Sequence, residues 1–288
     1  MEKEFKYIDT HAHVNIHAFK DDWREVLGKC QKEGVAVVNV GTQTDTSKKA
    51  VEIAESFEDG VYAIVGLHPV HTSASYHDKS ELGENMKEFT SRGEIFDKNY
   101  HRELAKNPKV VGIGECGFDY WHTPKDSLEI QEAAFVAQIE LANELNLPLM
   151  IHTRGPKPGD ESPTGRSVYE DVYEVLKKHA KVSFNVHFYA GTYEEAKKFF
   201  ALGGTISFTG VITFVKDYEE VVRNAPLELI HGETDCPYVA PVPYRGKRCE
   251  PWMVKEVYKK IAELKNLDEE TARLQLLENA KKLYFSNR

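Results

Sequence analysis

No run in this 288-residue chain approaches the roughly 18 consecutive apolar residues that a bilayer-spanning helix needs, which excludes that class of membrane protein. The first residues, Met1 to Tyr7, hold no apolar leader and pass almost directly into an apolar run, so the expected compartment is cytoplasmic. Cysteine is scarce. Cys30, Cys116, Cys236 and Cys249 show no CxxC spacing and are too few to staple a chain of this size. Cys116 and Cys236 adjoin Glu115 and Asp235, which raises thiolate ligation, but neighbours on a strand point to opposite faces. They read as small buried hydrophobes instead. Excess positive charge is also missing: the net charge of −9 argues against gripping nucleic acid through a broad basic surface. One compact basic cluster, Tyr244-Arg245-Gly246-Lys247-Arg248, is either a solvated loop or a local grip on phosphate. No internal repeat, low-complexity tract or linker divides the chain, so one domain over residues 1–288 is expected, with no membrane and no protein partner.

What the chain does contain is alternation of apolar runs with amphipathic stretches, the pattern of a parallel sheet with crossover helices. Strands are expected near Tyr7 to Asp9, Val35 to Val40, Tyr62 to Val65, Val110 to Gly114, Leu149 to Ile151, Val182 to Val186, Thr205 to Phe208 and Glu228 to Ile230. Helices are expected over Trp23 to Glu33, Thr46 to Phe57, Leu128 to Leu145, Ser167 to His179, Tyr193 to Leu202, Pro251 to Leu264 and Asp268 to Phe285, with Asp268 capping the last. In the third of these, Ile130, Ala134, Ala137, Leu141 and Leu145 form a stripe expected to face the sheet. Two insertions, Ser73 to Asn99 and Gly155 to Gly165, follow strand ends and should overhang the mouth of the fold as loops or short helices.

Five segments place a histidine or carboxylate just after an apolar run. They are Asp9-Thr10-His11-Ala12-His13, Gly114-Glu115-Cys116-Gly117-Phe118-Asp119, Ile151-His152-Thr153-Arg154, Val186-His187-Phe188 and Gly232-Glu233-Thr234-Asp235-Cys236-Pro237. Functional groups at the C-terminal ends of strands are where (β/α)8 barrels build active sites, so the expected fold is an α/β TIM barrel. His11 and His13, two apart on a strand, project to one face with backbones about 6.6 Å apart and can share an ion. His152, His187, Glu115 and Asp235 each arrive from a different strand and would converge on the barrel axis. Taken singly, His152 or His187 is also compatible with a satisfied core histidine. A carboxylate flanked by Gly112, Gly114 and Gly117 is costly to bury unpaired. Mixed imidazole and carboxylate ligands suit zinc, magnesium, manganese, nickel or iron, and a carboxylate between two ions suits a binuclear centre. The remaining histidines, among them His101 and His122, carry no such signal.

The order of these segments, with Val65-Gly66-Leu67-His68-Pro69 after the third strand and Ser207-Phe208-Thr209-Gly210 after the seventh, resembles the TatD family of metal-dependent deoxyribonucleases in the amidohydrolase superfamily. The resemblance runs from Tyr7 to about Leu277. It implies a TIM barrel with two divalent ions at the C-terminal face of the strands. His11, His13, Glu115 and Asp235 would hold one ion, and Glu115, His152 and His187 the other, with Glu115 bridging. The family's Arg-Gly-Lys-x-Asn-x-Pro segment appears as Arg245 to Pro251 with Cys249 in place of asparagine, and Asn15 stands where the family usually has an aspartate. Catalytic roles fall to Asp235, as ligand and proton acceptor, and to Glu115. His68, Arg154 and Arg245 are expected on substrate phosphates, Arg154 through its bidentate fork. The implied reaction is removal of nucleotides from DNA, from a 3′ end. Its rivals are ester or amide hydrolysis, including release of a D-amino acid from tRNA, and a catalytically idle binding protein on the same fold.

Overall fold

In a computed structural model of the protein, which describes residues 5–74, 76–77, 89–90 and 92–286, eight parallel strands follow one another in chain order around one sheet. They are β1 (Tyr7–Ala12), β2 (Val35–Val40), β3 (Val61–Val65), β4 (Val110–Asp119), β5 (Leu149–Arg154), β6 (Phe184–Val186), β7 (Thr205–Phe208) and β8 (Ile230–Gly232). Among the described residues, the α-helices between and after them are α1 (Trp23–Lys32), α2 (Thr44–Glu55), α3 (Lys98–Ala105), α4 (Leu128–Leu145), α5 (Val168–His179), α6 (Tyr193–Ala201), α7 (Glu219–Asn224), α8 (Val254–Lys265) and α9 (Glu269–Phe285). This is the expected TIM barrel. No described helix is long and apolar enough to cross a membrane.

Alternation along the strands sorts side chains into two cores. Ile8, Val38, Val40, Ile64, Val111 and Met150 fill the barrel and meet Leu277, Ala280 and Tyr284 of α9, which lies across its floor. Val35, Val37, Val61, Ala63, Val110 and Ile113 point outward into the helical layer. With the floor apolar and plugged, the polar chemistry is left at the opposite end. The ring closes between β1 and β8 without a regular ladder. A single parallel bridge joins Ala12 to Cys236, the Asp235 amide donates to His11 at 2.9 Å, and the His13 amide donates to Cys236 at 3.0 Å.

Several expectations need correction. Strand β4 runs ten residues rather than ending at Gly114, because its register with β5 slips between Ile113 and Cys116. Such a slip, like a bulge, re-aims the side chains beside it. Strand β8 begins at Ile230, since Leu227–Leu229 form a 3-10 turn. In α4, Ala134 and Leu141 of the expected stripe are buried and Ala137 and Leu145 partly so, but Ile130 is 51% exposed, and the buried face also carries Gln131, Phe135, Gln138, Ile139 and Ala142. The two glutamines, which the expected stripe did not include, both clamp loops at the barrel mouth. Gln138 accepts the Leu67 amide at 2.8 Å and donates to the Leu67 carbonyl at 2.9 Å. Gln131 accepts the Asp119 amide at 2.9 Å. Helix α3 and the short α7 were not expected; Asp97 caps α3 by accepting the Tyr100 amide at 2.9 Å. Much of the insertion Ser73 to Asn99 lies outside the described residues. The insertion Gly155 to Gly165 is an irregular loop tied down at its end, where the buried Asp171 accepts from Thr164 at 2.5 Å, from Arg166 at 2.6 Å and from Tyr120 at 2.9 Å.

Candidate metal centre

Six of the expected groups converge at the mouth. On β1, His11 and His13 bring their Nε2 atoms within 3.0 Å of one another. Glu115 Oε1 lies 3.6 Å from His11 Nε2 and 3.4 Å from His13 Nε2, and Asp235 Oδ1 stands at the same 3.6 and 3.4 Å. The other oxygen of Glu115, Oε2, faces a second group: 2.8 Å to His187 Nε2, 3.5 Å to His152 Nδ1 and 3.8 Å to His68 Nε2. One buried carboxylate therefore separates two clusters of ligand atoms. The rings of His11 and His187 stack at 3.9 Å and join the clusters into one body.

The register slip explains how Glu115 reaches this position. Gly114 and Gly117 hold φ of 142° and 143°, and a Cβ on either would come within 2.5 Å of the Met150 carbonyl or 2.1 Å of the His152 carbonyl. Only glycine allows β4 and β5 to approach so closely here. Cys116 points away, its thiol 3.7 Å from the Met150 carbonyl, and all four cysteines are free and buried.

The donor set fits a metal by its tautomers. His13 Nδ1 lies 2.9 Å from the Val40 carbonyl, which can only accept, so in the neutral ring Nε2 presents a lone pair to the cluster. His152 Nε2 lies 3.0 Å from Asp119 Oδ2, leaving Nδ1 as the lone pair facing Glu115. In the neutral rings, lone pairs of nitrogen and carboxylate oxygen thus confront one another, an arrangement relieved by a proton on the imidazoles or by a metal cation between the groups. His68 differs. Its Nδ1 accepts the Val70 amide at 3.0 Å, so the neutral ring carries its proton on Nε2 and donates from there.

Electrostatics agree with that picture. Burial alone would raise the Glu115 carboxyl, but His187, His11 and His68 outweigh it and hold the group well below its usual range. Burial is likewise overridden at His187 by Glu115 and Glu233, which push it well above the ordinary histidine value. Hydrogen bonding to Asp235 and the Glu115 charge raise His13 against burial, and Asp119 and Glu115 raise His152. Burial and the neighbouring His187 lower His11; burial and His152 lower His68.

Three buried carboxylates beside the cluster escaped the sequence reading. Asp119 accepts from the Trp121 amide at 2.9 Å, the His122 amide at 2.7 Å, His122 Nδ1 at 2.9 Å and His152 Nε2 at 3.0 Å. Glu233 accepts the Phe188 amide at 2.6 Å and stands 3.7 Å from His187 Nδ1. Asp9 reaches from β1 to Thr234. All three sit inside the quoted segments, four residues or fewer from a ligand, which is the signal that was there to use.

The expected substrate contacts divide. His68 lies on the edge of the second cluster, its ring 4.1 Å from His152. Arg154 is exposed at the mouth with its guanidinium 4.6 Å from the Trp121 ring. Arg245 is exposed and stacks 3.8 Å over Phe214. Arg248, counted in the basic cluster, is instead consumed internally. It donates to Asp22 at 2.5 Å, to the Ala18 carbonyl at 2.7 Å and to Glu250 at 3.3 Å. Asn15, at the position where an aspartate is usual, donates to the Val40 and Thr46 carbonyls.

Comparison with known proteins gives a consistent result. Residues 8–285 match the family described as TatD related DNase. A Bacillus subtilis (strain 168) protein named as the uncharacterized metal-dependent hydrolase YabD is 36% identical, the match covering 97% of this chain and 99% of that one. Among solved structures, the TatD homolog YJJV of Escherichia coli superposes with a TM-score of 0.79 at 23% identity, covering 97% and 98% of the two chains. A phosphotriesterase homology protein from Escherichia coli, complexed with phosphate in its active site, shares the fold at TM-score 0.59 and 13% identity, covering 98% and 99%. With a family match across almost its whole length and a relative of this identity, the chain belongs to the TatD-related family of metal-dependent hydrolases.

Proposed function

We propose that the chain is a phosphodiesterase that removes nucleotides from DNA ends, with 3′-to-5′ polarity, at a centre of two divalent ions. The observation that carries this reading is Glu115 with Oε1 turned to His11 and His13, which Asp235 also faces, and Oε2 turned to His152 and His187. Those residues would hold the two ions, with Glu115 between them. When bound, such ions supply Lewis acidity to the phosphate and lower the pKa of water toward neutrality. Asp235 reaches the cluster through Oδ1 and is still 8% exposed, so it accepts the proton of the attacking water from the open side. His68 donates through Nε2–H toward a phosphate oxygen. Arg154 and Arg245, at the rim, hold flanking phosphates. Their charge supplies locally what the acidic surface lacks.

The experiment is a matrix of metals against substrates. The purified protein is loaded with manganese, zinc or magnesium and offered single-stranded DNA, duplex DNA and RNA, each labelled at one end, together with charged tRNA. Stepwise shortening of a 5′-labelled DNA strand is the expected result. Deacylation of D-aminoacyl-tRNA without shortening would move the reaction to carbonyl chemistry at the same centre, and inertness toward every substrate with ions bound would favour the idle binding protein.

A further inference from the structure

The barrel seam holds a carboxylate that the reaction does not use. Asp9 is fully buried on β1, and its hydrogen bonds reach the segments that carry His11 and Asp235. Its Oδ1 accepts the Thr234 amide at 2.9 Å and the His11 amide at 3.3 Å, and its Oδ2 accepts the Thr234 hydroxyl at 2.5 Å. The same hydroxyl accepts the Cys236 amide at 3.2 Å, so Thr234 grips the chain on both sides of Asp235. Asp235 itself sits at φ 53°, in the left-handed region, which aspartate visits more readily than most residues but which its surroundings must still select. Backbone hydrogen bonds from the Asp235 amide to His11 at 2.9 Å and from the His13 amide to Cys236 at 3.0 Å hold the turn against β1, and Asp9 and Thr234 add the side-chain anchors at the same seam.

We infer that Asp9 and Thr234 form a positioning pair that holds the backbone of Asp235 in its left-handed turn and so aims its carboxylate at the His11–His13 side of the centre. This rests on the reading of Asp235 as a metal-holding group. The Thr234 hydroxyl accepts the Cys236 amide and donates to Asp9, and Asp9, which also accepts the Thr234 amide, anchors this turn to the strand that carries both histidines. The pair thereby ties the geometry of one ligand to that of the other two.

The test uses manganese binding by titration calorimetry on the full chain, independent of any substrate. Thr234→Val is nearly isosteric and removes only the hydroxyl, so it should bind manganese about 10- to 100-fold more weakly, the range for losing a group that orients a ligand. Thr234→Ser restores the hydroxyl and should stay within about threefold of the parent protein. Asp9→Asn is a second arm, in which the amide of the new side chain faces the Thr234 hydroxyl and leaves its proton without an acceptor; the same loss is expected. In an Asp235→Asn background the Thr234→Val change should have no further effect, since a residue acting through another shows complete non-additivity. The inference is overturned if Thr234→Val and Asp9→Asn bind normally while Asp235→Asn is defective, or if the Thr234→Val loss persists undiminished in the Asp235→Asn background. Failure of the underlying reading looks different: Asp235→Asn itself binds manganese like the parent.

Discussion

Replacing Asp119 by asparagine should disable one side of the centre while leaving the fold nearly untouched, and the hydrogen bonds say why. The carboxylate serves four donors, two backbone amides on Oδ1 and two imidazole nitrogens on Oδ2. An asparagine oxygen can keep the Trp121 and His122 amides. Its NH2 group then faces His122 Nδ1 and His152 Nε2, and each ring must turn a lone pair toward it. For His152 that moves the proton to Nδ1, the atom 3.5 Å from Glu115 Oε2 that should bind the ion. Metal affinity on the His152–His187 side should fall about 10- to 100-fold. Stability should change little, because the buried polar atoms stay paired. Asp119→Ala is the contrasting perturbation. It strips all four donors of their acceptor, and breaking a buried charged pairing costs about 3 to 5 kcal/mol, which lowers the melting midpoint of a chain this size by on the order of 10 °C. Calorimetric titration with manganese alongside thermal unfolding separates the two variants. An Asp119→Asn protein that binds metal on both sides with parental affinity would refute the tautomer argument.

Other expectations follow from the same geometry. Glu115→Gln should lower metal occupancy on both sides at once, since Oε1 and Oε2 each face a different cluster; elemental analysis of the purified variant reads this directly. Metal uptake should release protons and strengthen as pH rises, because His13, His152 and His187 have raised pKa values in the metal-free protein and must give up protons to bind. Titration in buffers of different ionisation enthalpy counts those protons, and no buffer dependence would contradict it. Arg245→Ala and Lys247→Ala should each reduce the log–log salt slope of single-strand DNA binding by about 0.7 without loss of stability, whereas Arg248→Ala should lower the melting midpoint and leave the slope alone.

The six converging groups were legible because each is a titratable group placed just after an apolar run, and a barrel has one place to put the ends of its strands. His11, His13, Glu115, His152, His187 and Asp235 needed no tertiary detail to be grouped. The supporting residues did. Asp119 and Glu233 look in sequence like any carboxylate near a site, and only the paths of the His122 and Phe188 backbones make them acceptors. Gln131 and Gln138 fell outside the apolar stripe read for α4 because hydropathy counts an amide as polar, whereas in the fold their amides are buried and satisfied by loop backbones that the sequence does not place beside them. Arg248 read as part of a basic surface because Asp22, the residue that neutralises it, lies 226 positions away. Asp235 stands out in sequence as a carboxylate, but its left-handed backbone does not.

The barrel seam also sets an order of assembly. The residues that face Glu115 Oε2 from β5 and β6 lie close in the chain, with His152 and His187 only 35 positions apart. The opposite side needs β1 to meet the loop after β8, and Asp9 is 225 positions from Thr234. During synthesis at about 5 to 20 residues per second, β1 therefore waits on the order of tens of seconds for its partner, with the His11 and His13 rings already made and their carboxylate not yet translated. Contacts of such long range form late, after shorter ones have paid for the intervening loops. A nascent chain released before β8 would still carry the histidines and Glu115, but it would lack Asp235 and the Thr234 grip that seals the ring. Completion of the centre on that side thus coincides with closure of the barrel, so an intact His11–His13–Asp235 cluster certifies that the whole circle of strands has been built.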